Sequence, residues 1–511
     1  MSHSDMRFSP EERLEDRWRQ HAARAPEALA VSHWVAGTEP VRWTWGELFR
    51  SAENLAGWLT AQGVRPGHVC ALILRHHPQF YPLYLGTSLN GALPAVLAYP
   101  NTRTHPEKFR QGLEGMARRS GLDWVLTERE LEPVIRDLVL HQHSTVRGLL
   151  FPIDSETTTS PRASPTMDAG APCLLQHSSG TTGLQKAVAL SHRAVLGHIE
   201  RYRRSLAVTP ADKIVSWLPL YHDMGLIAAF HLSLACGIPL VQLDPFEWVQ
   251  APVLLLEAAA REGATLSWLP NFAYHHMADR IHEEDMEGLR LDRLRMWINC
   301  SEPVRAEAHA KFLRRFGPYG VRPEALAACY AMAETTFAVT QTAPGRPASQ
   351  LIVDRAALAR GEVRLATPGS ESRVCVSSGT PIADCAVRVV DERGADVSEG
   401  RVGELLIRSS SLFDGYRNQP DKTAEVLKDG WYQSGDYGFV HENEYYVIGR
   451  KKDLIIVAGK NIYPEDIEDA VNAVAGVIPG RVVAFGVDDP ELGTEQVAVV
   501  VESEQHDKPD A

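Results

Sequence analysis

Short apolar runs alternate with amphipathic helical stretches along most of this 511-residue chain, and few folds tolerate that rhythm. Thr44 and Glu47 have the spacing of a capping box, Leu48, Ala52, Leu55 and Leu59 follow at helical intervals, and Gly63 ends the helix. Residues 69–74 read as a buried strand, 80–89 as a helix and 92–98 as a second strand. The strand pattern recurs at 124–126, 148–151, 214–217, 239–243, 265–268 and 296–299. Such alternation builds parallel sheets with helices on their faces, so the expected class is α/β.

From 374 to 408 the pattern changes to short alternating strands with turns at 392–394 and 398–400, expected to form a small distorted β-barrel. After Gly449 the chain turns charged and a new pattern begins: a strand at 454–457, a helix at 464–474, and strands at 482–487 and 496–502. This length exceeds one core. The expected division is a large N-terminal domain, 1–449, with two parallel-type α/β subdomains plus the barrel, and a small α+β C-terminal domain, 450–511, that reads as partial. The Ser, Thr and Pro-rich segment 154–172 reads as a surface linker.

Charge and cysteine usage exclude several functions. A net charge of -13 argues against a non-specific nucleic-acid surface, which needs a basic face. Seven scattered cysteines with no CxxC read as thiols of a reducing compartment, not as a disulfide or zinc framework. The first residues are polar and acidic, unlike a signal peptide, and no apolar run is long enough for a membrane span. A cytoplasmic location is expected.

Residues 173–175 read as a strand that runs into Ser178, Ser179, Gly180, Thr181, Thr182 and Gly183, ending in Lys186, before a second strand at 187–190. Small residues let backbone N–H groups crowd an anion, hydroxyls add donors, and the lysine adds a point charge. This fits a polyphosphate loop; a flexible hairpin turn is the plain alternative. The Gly-Lys-Ser/Thr ending of a Walker A loop is absent. At the end of strand 214–217, His222 and Asp223 offer either a general base with its orienting partner, or a helix cap beside a half-buried histidine. Asn299, Cys300, Ser301, Glu302 and Pro303 follow another strand and form either a flat slot for a purine or an ordinary capped turn. Tyr330 and Glu334 can stack on a base and hold a metal, since magnesium binds through few carboxylates plus substrate phosphates. A buried tyrosine beside a solvated glutamate is the alternative. Asp436 can accept hydrogen bonds from both ribose hydroxyls, or simply occupy a Gly-rich turn.

SSGTTGLQK resembles the phosphate loop of the adenylate-forming enzymes: acyl-CoA ligases, luciferases, peptide-synthetase adenylation domains and fatty acyl-AMP ligases. The family makes an acyl-adenylate from a carboxylic acid and ATP, then passes the acyl group to a thiol. Gln185 departs from the usual proline, which leaves the loop less stiff. YHDMGL at 221–226, NCSEPVR at 299–305 and PNFAY at 270–274 resemble the fatty acyl-AMP ligase branch. The resemblance implies ATP and Mg²⁺ as cofactors. It puts Lys186, His222, Glu334 and Arg450 in the catalytic machinery, with His222 positioning substrate rather than moving protons. It places residues 299–303, Tyr330 and Ala331 at adenine, Thr335 near the α-phosphate, and Asp436, Ile448 and Arg450 at the ribose. Glu334 and Ser178 are the implied metal contacts. His222, Trp268, Asn271 and Phe272 are implied for the acid pocket, Lys452 for a hinge, and Gly459 for the loop that admits a phosphopantetheine arm.

The segment 342–373, an Arg/Ala/Leu-rich turn between two Pro/Gly stretches, resembles the insertion that marks fatty acyl-AMP ligases. In that branch the insertion restrains the small domain, which implies delivery to an acyl-carrier protein and refusal of free CoA. An acyl-CoA ligase of the same fold is one alternative. A catalytically impaired binding or scaffold protein is another, because the family's final lysine motif belongs beyond Glu502 and Lys508 lacks its flanking residues. Slow adenylation by the chain as written is the matching expectation. Finally, the branch usually has small residues before PNFAY, and this chain has Trp268 and Leu269. An indole on the acyl side implies an acid shorter than a very long, unbranched fatty acid; an indole turned into the core leaves the tunnel open.

Overall fold

A computed structural model describes residues 8–100, 106–142, 144–154, 167–178, 186–457, 460–472, 474–489 and 494–503. Two large sheets carry the first four hundred or so residues. The nine-stranded sheet runs Thr380–Pro381, Ala338–Gln341, Leu326–Ala331, Met296–Asn299, Leu266–Leu269, Ile214–Ser216, Leu240–Gln242, Leu29–His33, Val41–Thr44. Its interior pairs are parallel, and antiparallel strands close both edges. The seven-stranded sheet runs Gly415–Tyr416, Lys186–Ser191, Pro172–Ser178, Leu93–Val96, Val69–Ile73, Trp124–Thr127, Gly148–Leu150. The α/β expectation therefore holds, with most strand ends within a residue or two of their expected places; the strand expected at 173–175 runs on to Ser178.

The helices between the sheets show why the sequence reads as it does. Thr44 caps Trp45–Ala61 by accepting from the Glu47 N–H, and the Glu47 carboxylate accepts from the Thr44 N–H at 3.1 Å. Phe80–Leu89 is buried at all ten positions, as a helix apolar all round must be. Met224–His231 is also buried throughout and is wound as a π-helix, a rare form frequent at functional sites.

A five-stranded antiparallel sheet follows: Cys385–Val390, Gly403–Ser409, Trp431–His441 and Leu427–Lys428, with Glu444–Arg450 also paired to Trp431–His441. Register shifts at Glu404/Leu406 and Tyr437/Gly438 curl it. The expected barrel begins too early by one strand, because Ser372–Val376 pairs instead with Gln350–Asp354, inside the insertion. The C-terminal part holds a short ladder, Ile455–Val457 with Lys460–Ile462, the helix Pro464–Asn472, and the hairpin Val477–Asp489 with Thr494–Ser503.

One core group carries a pH signature. Glu15, on helix Leu14–Arg24, is 4% exposed, and burial pushes its carboxyl up to about 7. His192 Nδ1 lies 3.7 Å from it and is pushed down to about 4 by burial, so this is a contact between groups that resist charging. Unfolded, Glu15 ionises near 4.5; folded, it keeps its proton until about 7. The folded chain therefore binds the extra proton in that window, and stability falls as pH rises through it. Glu15→Gln is expected to stabilise the protein at about pH 8 by on the order of 3 kcal/mol, with little effect near pH 4.5. Thermal melts at the two pH values check this; an equal shift at both contradicts it.

Candidate active site

The end of strand Leu326–Ala331 and the following turn, Ala333–Thr335, face the curled sheet. Tyr330 donates its hydroxyl to Asp436 Oδ2 at 2.6 Å. Asp436 and Arg450 are register partners on neighbouring strands, and Arg450 Nε lies 3.4 Å from Asp436 Oδ1. Burial raises the Asp436 carboxyl above its usual range, opposed by the Tyr330 hydroxyl and the Arg450 charge. The carboxylate is thus oriented from both oxygens and keeps lone pairs for further donors.

A second group sits alongside. Glu334, 7% exposed, accepts the Tyr416 hydroxyl at 2.7 Å, and Lys186 Nζ stands 4.5 Å from the centre of the same tyrosine ring. Tyr416 thus stands between the cation and the carboxylate. The Glu334 charge also acts on Tyr432 and on Asp436, which ties the two groups into one site. Two non-glycine residues with positive φ flank it: Ser301 at 80° and Thr336 at 69°. For Thr336, β-branched, this is a true outlier. Its hydroxyl is anchored to the Ser411 carbonyl at 2.8 Å. Strain of this kind gathers where geometry serves a ligand.

The His222 loop is built from below. Asp223 accepts from the Met224 N–H at 2.8 Å and caps the π-helix, which is the cap rather than a His–Asp pair. Burial pushes the Asp223 carboxyl up to about 6, and the backbone bond opposes it. His222 is exposed at the rim, against the Tyr221 ring at 4.8 Å. A Cβ on Gly225 would lie 2.3 Å from the Pro219 carbonyl oxygen, so the tight turn needs glycine. Two buried glutamines brace this loop: Gln176 Nε2 donates to the Tyr221 carbonyl at 3.0 Å and Gln242 Nε2 to the Leu218 carbonyl at 3.1 Å. Gln176 comes from the strand that enters the phosphate loop. A glutamine directly after the apolar run 173–175 was the available signal for it.

Several other expected residues are engaged within the protein. Asn299 is fully buried; its amide donates to Asn271 Oδ1 at 3.0 Å and meets His309 Nε2 at 3.2 Å. It fastens the strand to the helices behind it. Asn271 is 5% exposed and its Oδ1 also accepts from the Arg305 N–H, so it clasps a turn rather than lining a pocket. Ile448 is 1% exposed and packs with Val353, Leu358 and Tyr463. The Thr335 hydroxyl faces the Met332 and Phe337 carbonyls, at 3.0 and 2.7 Å. Cys300 is buried too, whereas Ser301 and Glu302 are exposed and Pro303 and Ala331 half-buried. Phe272 is 46% exposed and packs edge-on against Trp217 and Trp248, which stack at 3.7 Å. Lys452 is exposed beside Asp453. Ser178 pairs with Lys186 at the base of the phosphate loop. Ser179, Gly180, Thr181, Thr182, Gly183, Gln185, Gly459 and Lys508 lie outside the described residues. Tyr416 is the site residue that motif reading passes over.

This fold and constellation define a class, the AMP-binding enzymes: residues 18–417 match that family, and the chain belongs to it. Among individual proteins, it is 30% identical over 464 residues to a Caulobacter vibrioides protein named as an acyl-CoA synthetase, covering 90% of this chain and 80% of that one. It is 28% identical over 508 residues to the long-chain-fatty-acid–AMP ligase FadD26 of Mycobacterium bovis, covering 94% and 85%. A fatty acyl-adenylate ligase from L. pneumophila, solved in complex with acyl adenylate and pyrophosphate, superposes with a TM-score of 0.81 at 28% identity, over 98% of this chain and 88% of that one. No described helix is long and apolar enough to cross a membrane.

Proposed function

We propose that this chain activates a carboxylic acid with ATP and hands the acyl group to the phosphopantetheine thiol of an acyl-carrier protein. A carboxylate oxygen attacks the α-phosphorus, the bond to the β-phosphate breaks, and pyrophosphate leaves. The observation that carries this reading is the juxtaposition of Tyr330, Asp436 and Arg450 with Glu334, Tyr416 and Lys186. The first three suit a nucleoside: a ring to stack, a carboxylate for ribose hydroxyls, and an arginine that holds it. The second three suit polyphosphate. Lys186 brings positive charge to the base of the phosphate loop, and Glu334 is held in one orientation by Tyr416. A single oriented carboxylate matches Mg²⁺, which completes its shell with phosphate oxygens and water; bound there, the ion would neutralise charge on the phosphates. His222, at the rim, orients the acid.

Acid-dependent exchange of pyrophosphate into ATP tests this reading; binding of ATP with no exchange for any acid would reject it. Asp436→Ala is expected to raise the ATP KM by ~10-fold or more, the worth of one or two charge-assisted hydrogen bonds, and to change the acid KM little. Equal changes in both would place Asp436 elsewhere.

The insertion supports transfer to a carrier protein. Arg373, which ends it, lies 3.3 Å from Asp466 and 5.1 Å from the Tyr463 ring centre, both at the start of the C-terminal helix. Tyr463 is buried with Val353 and Leu358 of the insertion and with Cys375 just after it. The small C-terminal part, which we place from residue 450 on with Lys452 as its hinge, is thereby tied to the larger one.

A further inference from the structure

Behind the site, a line of buried polar groups has one possible polarity. The Gln341 amide nitrogen donates to the Ala328 and Thr342 carbonyls, at 3.3 and 3.1 Å. Its Oε1 must then accept, and it does so from the Tyr202 hydroxyl at 2.9 Å. The Tyr202 oxygen in turn accepts the Trp268 indole N–H at 2.8 Å. Exposures are 3%, 1% and 0% for Gln341, Tyr202 and Trp268. Burial keeps the Tyr202 phenol well above its usual range, so it remains a proton donor.

This line reaches the site through Cys329, the residue before Tyr330. Its Sγ is 3.8 Å from the Tyr202 hydroxyl. Burial, and then the neighbouring Cys300, raise the Cys329 thiol, so the turn that follows Met296–Asn299 lies against it. Side chains alternate along a strand, and Asn299 faces the outer helices, so Cys300 and Trp268 face inward toward helix His192–Ser205. Tyr202 and Trp268 therefore stand on the face of the sheet that Cys300 and Cys329 share.

We propose that Trp268, Tyr202 and Gln341 set acyl length: their hydrogen-bonded line closes the inner end of the acid pocket, and the acid is short or compact. This rests on the adenylation reading and specifies its substrate. The indole cannot swing aside without stranding its own N–H in a buried interior, while the phenol stays held by Gln341. Tyr202 and Gln341 are specificity determinants that act through Trp268.

The test is pyrophosphate exchange with butyrate, octanoate and palmitate, for wild type, Trp268→Gly and Tyr202→Phe. Wild type is expected to prefer butyrate. Removing an indole admits several methylenes, so Trp268→Gly should raise the palmitate-to-butyrate ratio of kcat/KM by on the order of 10²-fold. Tyr202→Phe keeps the volume but frees the indole, and should raise the same ratio by about tenfold. A loss of folding lowers all rates and leaves the ratio unmoved. Acyl-sulfamoyl adenosines of the same three lengths read affinity without turnover, in the same three proteins. Length-dependent binding without exchange would reject the adenylation reading and uphold this one. A wild-type preference for palmitate, or ratios unchanged in both variants by both measurements, would overturn it.

Discussion

Glu334→Gln is expected to lower acid-dependent pyrophosphate exchange by on the order of 10²–10³-fold, the usual loss when one preorganised electrostatic contact at a reacting centre is removed. The substitution keeps shape and the bond from Tyr416, whose hydroxyl can donate to the amide oxygen as it does to Oε1. What it removes is the negative charge that would hold a cation against the phosphates. Tyr416→Phe is a milder test of the same arrangement. It leaves the carboxylate in place but frees its orientation, and leaves the ring under Lys186 intact. A loss of roughly tenfold is expected, the worth of one hydrogen bond to a charged group. The prediction has a second readout: raising Mg²⁺ should partly restore Glu334→Gln and leave Asp436→Ala unchanged. If Glu334→Gln retains nearly full exchange at ordinary Mg²⁺, Glu334 is a structural residue.

Carrier-protein specificity should fail when the insertion lets go. Given preformed acyl-adenylate with both a phosphopantetheinylated carrier protein and CoA, wild type is expected to acylate the carrier alone. Arg373→Ala removes the contact to Asp466, the Tyr463 ring contact and a 3.5 Å bond to the Ile448 carbonyl together. The ion pair is only partly buried, so the combined loss is put at about 1–2 kcal/mol, a tenfold or slightly larger shift in how the C-terminal part is held. Some acyl-CoA should then form. Deleting 349–365 removes the strand Gln350–Asp354 and the helix Arg355–Leu358, and should admit more. Efficient acyl-CoA formation by wild type would move the protein to the acyl-CoA ligase reading, which the name of its Caulobacter vibrioides relative represents.

Helices and parallel strands were readable because burial imposes a period that the sequence must show. Phe80–Leu89 has the expected bounds since every position faces protein. Motifs at strand ends were readable for a related reason: Tyr330 and Arg450 lie at the ends of their strands, and both come together with Asp436, which sits mid-strand beside a register shift. Polar residues in contact with one another were harder. Asn299 at a strand end looks the same in sequence whether it meets a ligand or a neighbouring helix, and only the Asn271 and His309 contacts decide. Tyr416 meets Glu334 across 82 residues, a pairing with no local signature. Trp268 showed as a bulky residue before PNFAY, but its direction is fixed by Tyr202 and Gln341, which no spacing links to it.

The central claim is that a carboxylate oxygen becomes bonded to the α-phosphorus of ATP. Labelling the carboxylate of the best exchanging acid with heavy oxygen tests it directly. After transfer to the carrier protein, mass spectrometry of the released AMP should show one heavy oxygen per molecule and none in pyrophosphate. Label-free AMP with acylated carrier, or ADP and phosphate in place of AMP and pyrophosphate, would contradict an acyl-adenylate.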